Sequence, residues 1–311
     1  MSIFSVTIIH SNPTLPKPLA LSTNFHKIAA KQLSALDYIK GVSLAAGLTT
    51  GIVPYLTSKS VYNLQKRPFT GRDIATVLRR VVVPQFSLKA IQLSTILGTR
   101  AVANHISPNT KQTNTMISYA LTVPFQQGLY FNIVEETEAY IANTRPTIKW
   151  LSNETIKKFF TGNVAAFTRE SLALGFSLAY SPIFMAKMGN SIESKTVKRI
   201  ISGATLGSIG ACWSQWAHNL AMLKQQSVTL GKNDSYLALF KQFMVTEEIN
   251  RRQSVSSSLR LPSRVSFRDC LNAKSFSYGF GQLATRNLQY RVPVIMGLSV
   301  INQICLGPLT E

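Results

Sequence analysis

Phe69-Thr70-Gly71 leads into Arg79, eight residues beyond the glycine, and Arg79 opens a long apolar run. The pattern consists of an aromatic residue before a glycine, then small and apolar residues, and then an arginine. This pattern returns twice, which indicates a chain built from three repeats. The other two copies are Phe160-Thr161-Gly162 before Arg169 and Tyr278-Gly279 before Arg286.

Composition favours a membrane protein. Of the 311 residues, 15% are charged and 45% are apolar, and the net charge is +20. That charge would also suit a nucleic-acid binder, but the charged residues lie between uncharged runs, so no nucleic acid is expected as a partner. Four uncharged runs approach or exceed the roughly 20 residues that cross a bilayer as a helix. They occupy residues 41–58, 112–134, 200–223 and 292–309.

Two further runs, Arg79–Gly98 and Arg169–Ala186, begin at the repeat arginines, and Lys89 interrupts the first of them. The predicted fold class is therefore an all-α membrane protein of six transmembrane helices in three pseudo-symmetric two-helix repeats with short surface helices. The predicted helices cover residues 37–63, 73–98, 115–140, 163–187, 197–226 and 282–303, with surface helices over 146–160 and 236–248. Gly203, Gly207 and Gly210 predict a small-residue face for close helix contact on the fifth helix.

The repeat period predicts the domain boundaries. Arg79 and Arg169 are 90 residues apart, whereas Arg169 and Arg286 are 117 apart. Removing the Arg-rich stretch Asn250–Ala273, predicted to be a mobile insertion, brings the two intervals close together. The expected division is a leader over 1–36, repeat 1 over 37–100, repeat 2 over 101–190 and repeat 3, with the insertion, over 191–311. The leader is basic and contains no acid, as in a mitochondrial targeting segment or a plain disordered tail.

Catalytic and metal-binding patterns are not found in the sequence. The three cysteines have no metal-ligand spacing, and Gly231-Lys232 lacks the glycine-rich loop of a nucleotide-binding motif. We therefore expect no enzyme activity, no metal and no cofactor.

The three repeats resemble the mitochondrial carrier family from about residue 38 onward. The best-matching segments are Ile74–Arg80 and Gly279–Asn287, which look like the starts of the family's even-numbered helices. The resemblance implies a central cavity with substrate contacts at Arg79, at Arg169 and Glu170, and at Arg286 and Asn287. An arginine next to an acid is similar to the pattern in members that carry amino acids, because the guanidinium can hold a carboxylate while the acid meets an ammonium group.

The chain departs from the family at the gate that closes the cavity. The family has a proline, an acid two residues on and a base three after that, whereas here Pro54 is followed by Leu56 and Lys59, and Pro124 by Gln126 and Leu129. On the fifth helix the acid position falls at His218 or Asn219. Without those charges, closure is expected to depend on neutral hydrogen bonds.

Two functions remain open at this point. The first is transport of a small anionic or zwitterionic metabolite (nucleotide, amino acid or carboxylate) by alternating access across the mitochondrial inner membrane, with the outer membrane as the other location. The second is a non-transporting carrier-like receptor, insertase or scaffold, which could also be a mimic encoded by a parasite or bacterium and acting in host mitochondria. Expected partners are the small-molecule substrate and membrane lipid, with cardiolipin as a candidate, and the chain is expected to act as a monomer.

Overall fold

The computed structural model of the protein describes residues 35–144, 153–255 and 265–309, and this part of the chain contains helices and no strands. The all-α class predicted from the sequence is therefore confirmed. The predicted leader falls almost entirely outside the described residues. The α-helices are α1 (Ala35–Leu64), α2 (Gly71–Ile106), α3 (Lys111–Leu121), α4 (Val123–Ile141), α5 (Asn153–Phe160), α6 (Asn163–Glu170), α7 (Phe176–Lys187), α8 (Lys195–Thr229), α9 (Tyr236–Val255), α10 (Ala273–Thr285) and α11 (Leu288–Cys305).

Six long helical segments form a closed ring. They are α1, α2, α3 with α4, α6 with α7, α8, and α10 with α11, and each coincides with one of the six predicted helices. Every segment packs against the next in chain order, and the sixth returns to pack against the first. The first, third and fifth segments also contact one another through α1, α4 and α8. This second set of contacts brings the odd-numbered segments together inside the ring.

Three of the segments are interrupted, each for a local reason. The third divides at Thr122, and Pro124 lies in the first turn of α4. Backbone N–H groups in a first turn have no acceptor within the helix, so a proline costs no hydrogen bond there. The fourth contains a π-helical turn, Ser171–Gly175, between α6 and α7. The sixth, predicted to be continuous, divides at Arg286 and Asn287.

The break in the sixth segment is stabilised by amide side chains from α8. Asn287 adopts a left-handed conformation with φ of 69°, which ends α10 and begins α11. The break leaves backbone carbonyls without helical partners. Gln215 donates to the carbonyl of Arg286 at 2.6 Å, and Asn219 donates to the carbonyls of Leu283 and Arg286 at 2.7 and 2.8 Å.

The small-residue face predicted on the fifth helix is present. The Cα atoms of Gly203 and Gly207 lie against α11, so a Cβ at either position would meet Val300 or Ser299 at under 3.0 Å. Gly210 lies against the π-helical turn, where a Cβ would stand 2.4 Å from the carbonyl oxygen of Leu172.

Two surface helices pack on the ring through glycines. Phe159 of α5 covers Gly128 of α4, and Met244 of α9 covers Gly279 of α10. The first repeat has no surface helix, because α1 ends at Leu64 and α2 begins at Gly71. In its place Phe69 packs edge-on against Tyr62, with ring centroids 5.2 Å apart.

Part of the stretch predicted to be a mobile insertion, residues 250–273, is helical. Helix α9 continues to Val255, and Phe267–Leu271 forms a 3-10 turn whose Phe267 ring packs against Phe240. Arg251 and Arg252, counted in the insertion because of their charge, belong to α9 and pair with Glu248 at 2.7 Å each. Residues 256–264 lie outside the described part.

Polar side chains are frequent in the interior, and large apolar side chains are frequent on the surface. Among the described residues, as many polar or charged side chains as apolar ones are buried, while large apolar side chains are exposed on every one of the six segments. Val83 is 72% exposed and Val164 75% exposed. Two helices, Leu36–Leu64 and Gly71–Ile106, are long and apolar enough by themselves to cross a membrane.

Replacing Gly210 by alanine should destabilise the fold. The added Cβ would overlap two backbone carbonyl oxygens, of Leu172 at 2.4 Å and of Ala173 at 2.7 Å, and backbone cannot rotate away. Gly297→Ala is the matched control, because nothing lies within 4 Å of its Cβ position, and alanine favours a helix over glycine by about 1 kcal/mol. The apparent Tm of the purified protein should fall for Gly210→Ala and hold or rise for the control. Equal Tm values for the two variants would contradict this packing.

Low pH should destabilise the C-terminal end of α9. The hydrogen bonds from Arg251, supported by Arg252, lower the pKa of Glu248 from 4.5 to about 2. Because the folded pKa is the lower one, this stabilisation is fully present above pH 4.5 and is lost as the pH falls towards 2. Backbone amide exchange in α9, corrected for its intrinsic pH dependence, should rise across that interval. Glu248→Gln should remove this pH dependence, and an unchanged profile in the variant would contradict the assignment.

Candidate functional site

A cluster of charged side chains is buried inside the ring. Lys89 of α2 is 4% exposed, Arg169 and Glu170 of α6 are 1% and 4% exposed, and Arg291 of α11 is 1% exposed. The cluster thus combines three basic groups with one carboxylate, and we call it the cationic cluster. Charged side chains are seldom buried to this extent unless they are paired or bind something.

Arg169 is the best-defined member of the cluster. Its Nε donates to Oε1 of Glu170 at 2.7 Å, and its Cζ lies 4.1 Å from the ring centroid of Tyr130. Stacking on an aromatic face suits a guanidinium. Its two terminal nitrogens, Nη1 and Nη2, are buried and have no hydrogen-bond acceptor among the described residues. The outer edge of the guanidinium is therefore left free to bind an anion.

Lys89 and Arg291 are held by neutral groups. Nζ of Lys89 donates to Oε1 of Gln92 at 2.8 Å and lies 3.5 Å from Oε1 of Gln126. Nη1 of Arg291 donates to the carbonyl of Ala211 at 2.8 Å and to Oε1 of Gln215 at 3.3 Å. Both cations interact electrostatically with Arg169 and Glu170, which places the four groups in one region. Neutral acceptors orient the two cations and leave their charge uncompensated.

The π-helical turn positions Arg169 and Glu170. It follows Glu170 directly, and it packs against the bare backbone of Gly210. Successive residues of a regular helix point about 100° apart, yet both side chains are buried here. A π-helical turn inside an α-helix is often found at a functional site, and this one lies at the only carboxylate of the cluster.

The residues predicted from the sequence divide between several places. Arg169 and Glu170 are in the cationic cluster, whereas Arg79 is exposed on α2. Arg286 pairs with Glu247 of α9 through Nη2 and Oε1 at 2.7 Å. Asn287 is buried in a row of amides, since Asn63 donates to it at 2.7 Å and it donates to Asn219 at 3.1 Å. The three repeat arginines therefore do not form one cluster.

Two members of the cluster were missed by the sequence analysis. Lys89 was noted only as an interruption of an apolar run, and Arg291 was not singled out at all. A charge inside a predicted membrane helix is itself a functional signal, and both residues lie inside one, Lys89 in 73–98 and Arg291 in 282–303. The repeat arginines drew attention because they recur in the pattern, and recurrence does not determine which face of a helix is buried.

The odd-numbered segments are joined at one end of the ring by neutral donors. Ser58 bonds Thr137 at 3.0 Å, and Ser60 bonds His218 at 3.2 Å. The ring of His218 also packs edge-on against that of Tyr130, with centroids 6.1 Å apart. We call the end where these odd-numbered segments are joined the closed end. Because Tyr130 contacts both His218 and Arg169, the closed end lies beside the cationic cluster.

Glu138 of α4 joins three segments at this end. Its Oε1 accepts hydrogen bonds from Gln65 of α1 and from Gln226 of α8, the latter at 3.0 Å. The positions where the family resemblance implies acids hold other groups: Leu56 is fully buried, and Asn219 binds the carbonyls of the sixth segment. One carboxylate shared by two amides therefore takes the place expected for acid and base pairs.

Comparisons with protein families, with curated proteins and with solved structures find no match for this chain.

Glu138→Ala should loosen the closed end. Both glutamines act through the same carboxylate, and a hydrogen bond to a charged group contributes about 1.5–3 kcal/mol. Amide exchange at the ends of α1 and α8 should therefore accelerate roughly tenfold or more. Gln65→Ala and Gln226→Ala serve as partial versions of the same change. Adding either glutamine substitution to Glu138→Ala should have little further effect, and fully additive effects would contradict the shared acceptor.

Proposed function

We propose that this protein is a membrane-embedded carrier of a small anionic or zwitterionic metabolite, and that the cationic cluster is its binding site. The observation that carries the proposal is the burial of three cations with one carboxylate at the centre of a helical ring whose outer surface is apolar. Uncompensated charge in such a place is costly. A bound anion offsets that cost.

The membrane part of the proposal rests on the distribution of side chains. The buried face of each segment is rich in Ser, Thr, Asn and Gln, and the outer face exposes Leu, Ile, Val and Phe. In the described part of the chain, two helices are apolar enough to be recognised singly, because polar inward faces lower the average hydropathy of the others. Helices that line a polar interior within a bilayer have this composition.

Alternating access is the mechanism we propose. The odd-numbered segments meet at one end through Glu138, Gln65 and Gln226, and opening that end would expose the cluster to the other side of the membrane. The π-helical turn of the fourth segment and the broken sixth segment flank the cluster, and discontinuous helices have such a place at the sites of other transporters. The mitochondrial inner membrane is the proposed location, on the strength of the three-repeat resemblance and the basic leader. Membrane lipid is the proposed second partner.

A non-transporting receptor, insertase or scaffold is the second candidate. The closed end favours it, because one carboxylate shared by two amides joins segments where the family resemblance implies a switch made of ion pairs. A ring that does not cycle needs no such switch. The two candidates differ in whether purified protein moves any solute.

Arg169→Ala should reduce solute uptake into liposomes at least tenfold, because it removes both free guanidinium nitrogens from the cluster. Arg169→Lys should retain part of the activity, since lysine keeps the charge and loses the planar fork. Uptake is measured with purified protein across nucleotides, amino acids, carboxylates and phosphate.

Arg72→Ala is the matched control, because Arg72 is exposed near the start of α2 and should leave uptake unchanged. All variants are compared at equal reconstituted amounts after size-exclusion chromatography. Uptake by Arg169→Ala equal to that of the parent would contradict the site. A parent protein that transports nothing on the panel, while still assembling with other membrane proteins, would support the scaffold candidate.

A further inference from the structure

The charge count of the cationic cluster specifies its ligand more narrowly than the proposed function does. Lys89, Arg169 and Arg291 supply three positive charges and Glu170 supplies one negative charge, which leaves two positive charges uncompensated in the described part of the chain. All four side chains are at least nine-tenths buried. Screening by water and salt is weak at such positions.

Glu170 is paired with Arg169 through one of its two oxygens. Its Oε1 accepts the hydrogen bond from Nε of Arg169 at 2.7 Å, and it is the carboxylate that interacts electrostatically with both Lys89 and Arg291. A ligand ammonium at the other oxygen of Glu170 would still stand in the same buried region as three cations. Like charges at such short range are destabilising.

The guanidinium nitrogens that have no acceptor favour an anionic ligand. Nη1 and Nη2 of Arg169 and Nε of Arg291 are buried and have no acceptor among the described residues. The Nη1 and Nη2 pair presents two parallel N–H groups, which suit two oxygens of one carboxylate or phosphate. Arg291 and Lys89, which come from the sixth and second segments, can meet a second anionic group.

We infer that the ligand carries two negative charges and no ammonium group, as a dicarboxylate or a phosphate does. This inference rests on the proposed function and narrows it, because a zwitterion would leave both excess positive charges in place. An amino acid, the class implied by an arginine followed by an acid, is then not the expected ligand, because a neutral zwitterion does not offset the excess positive charge.

The test compares small probes that differ by one charged group. Succinate is a dicarboxylate, aspartate is succinate with an added ammonium, and butyrate is succinate with one carboxylate replaced by methyl. Inorganic phosphate tests the other dianion chemistry. Binding is measured as the shift in the Tm of purified protein in lipid nanodiscs, and uptake is measured separately in liposomes. We expect stabilisation by succinate or phosphate, and little or none by aspartate and butyrate.

Charge variants give the second readout. Glu170→Gln raises the excess charge and should retain binding of the dianion, whereas a site that used Glu170 for an ammonium would lose aspartate binding. Lys89→Met and Arg291→Met each remove one cation and keep a similar side-chain volume. Each should weaken the binding of succinate roughly tenfold or more, relative to the binding of butyrate. Using both variants guards against the loss of folding in either one.

The outcomes separate the two proposals. If aspartate stabilises the protein more than succinate and phosphate do, the ligand carries an ammonium group, and the inference is wrong while the carrier function stands. If no probe binds, the inference fails, and if the parent also transports nothing among nucleotides, amino acids, carboxylates and phosphate, the carrier function fails with it.

Discussion

The pairing of Arg169 with Glu170, stacked on Tyr130, is the interaction on which the rest of the structure depends. It places a charged pair inside a helical ring, so every neighbouring segment has to present polar groups inward. Gln126 and Tyr130 come from the third segment, Lys89 from the second, Gln215 from the fifth and Arg291 from the sixth. A single carboxylate cannot neutralise three cations, and the uncompensated charge is what makes the interior a candidate binding site.

Close backbone approach makes this interior possible. The π-helical turn after Glu170 needs a neighbour without a side chain, and Gly210 provides it. The break at Asn287 frees carbonyls that Gln215 and Asn219 satisfy, and Gln215 also holds Arg291. Gln215 therefore links the geometry of the broken sixth segment to the orientation of Arg291 in the cluster. Glu138 has a corresponding role at the closed end, where it joins the first, third and fifth segments.

The sequence was sufficient to predict the helices, because uncharged runs of bilayer length and the returning glycine and arginine pattern are local features. The small-residue face of Gly203, Gly207 and Gly210 was equally readable from its spacing. The residues of the site were harder to predict. Arg79 and Arg286 recur as Arg169 does, yet one is exposed and the other pairs with Glu247 of a surface helix. Burial depends on how each helix is rotated in the ring, and the break at Asn287 changes that rotation in the sixth segment. Lys89 and Arg291 lie on the buried faces, which no repeat pattern marks.

The central claim is that the ring faces lipid outside and encloses its charges inside, and collision experiments on spin labels test it most directly. A label at Val83, which is 72% exposed on α2, is compared in bilayers with a label at Arg67, which is exposed in the turn before α2. The label at Val83 should collide often with oxygen, which concentrates in lipid, and rarely with a water-soluble nickel complex, and the label at Arg67 should show the reverse. Equal access of the nickel complex to both labels would contradict the account.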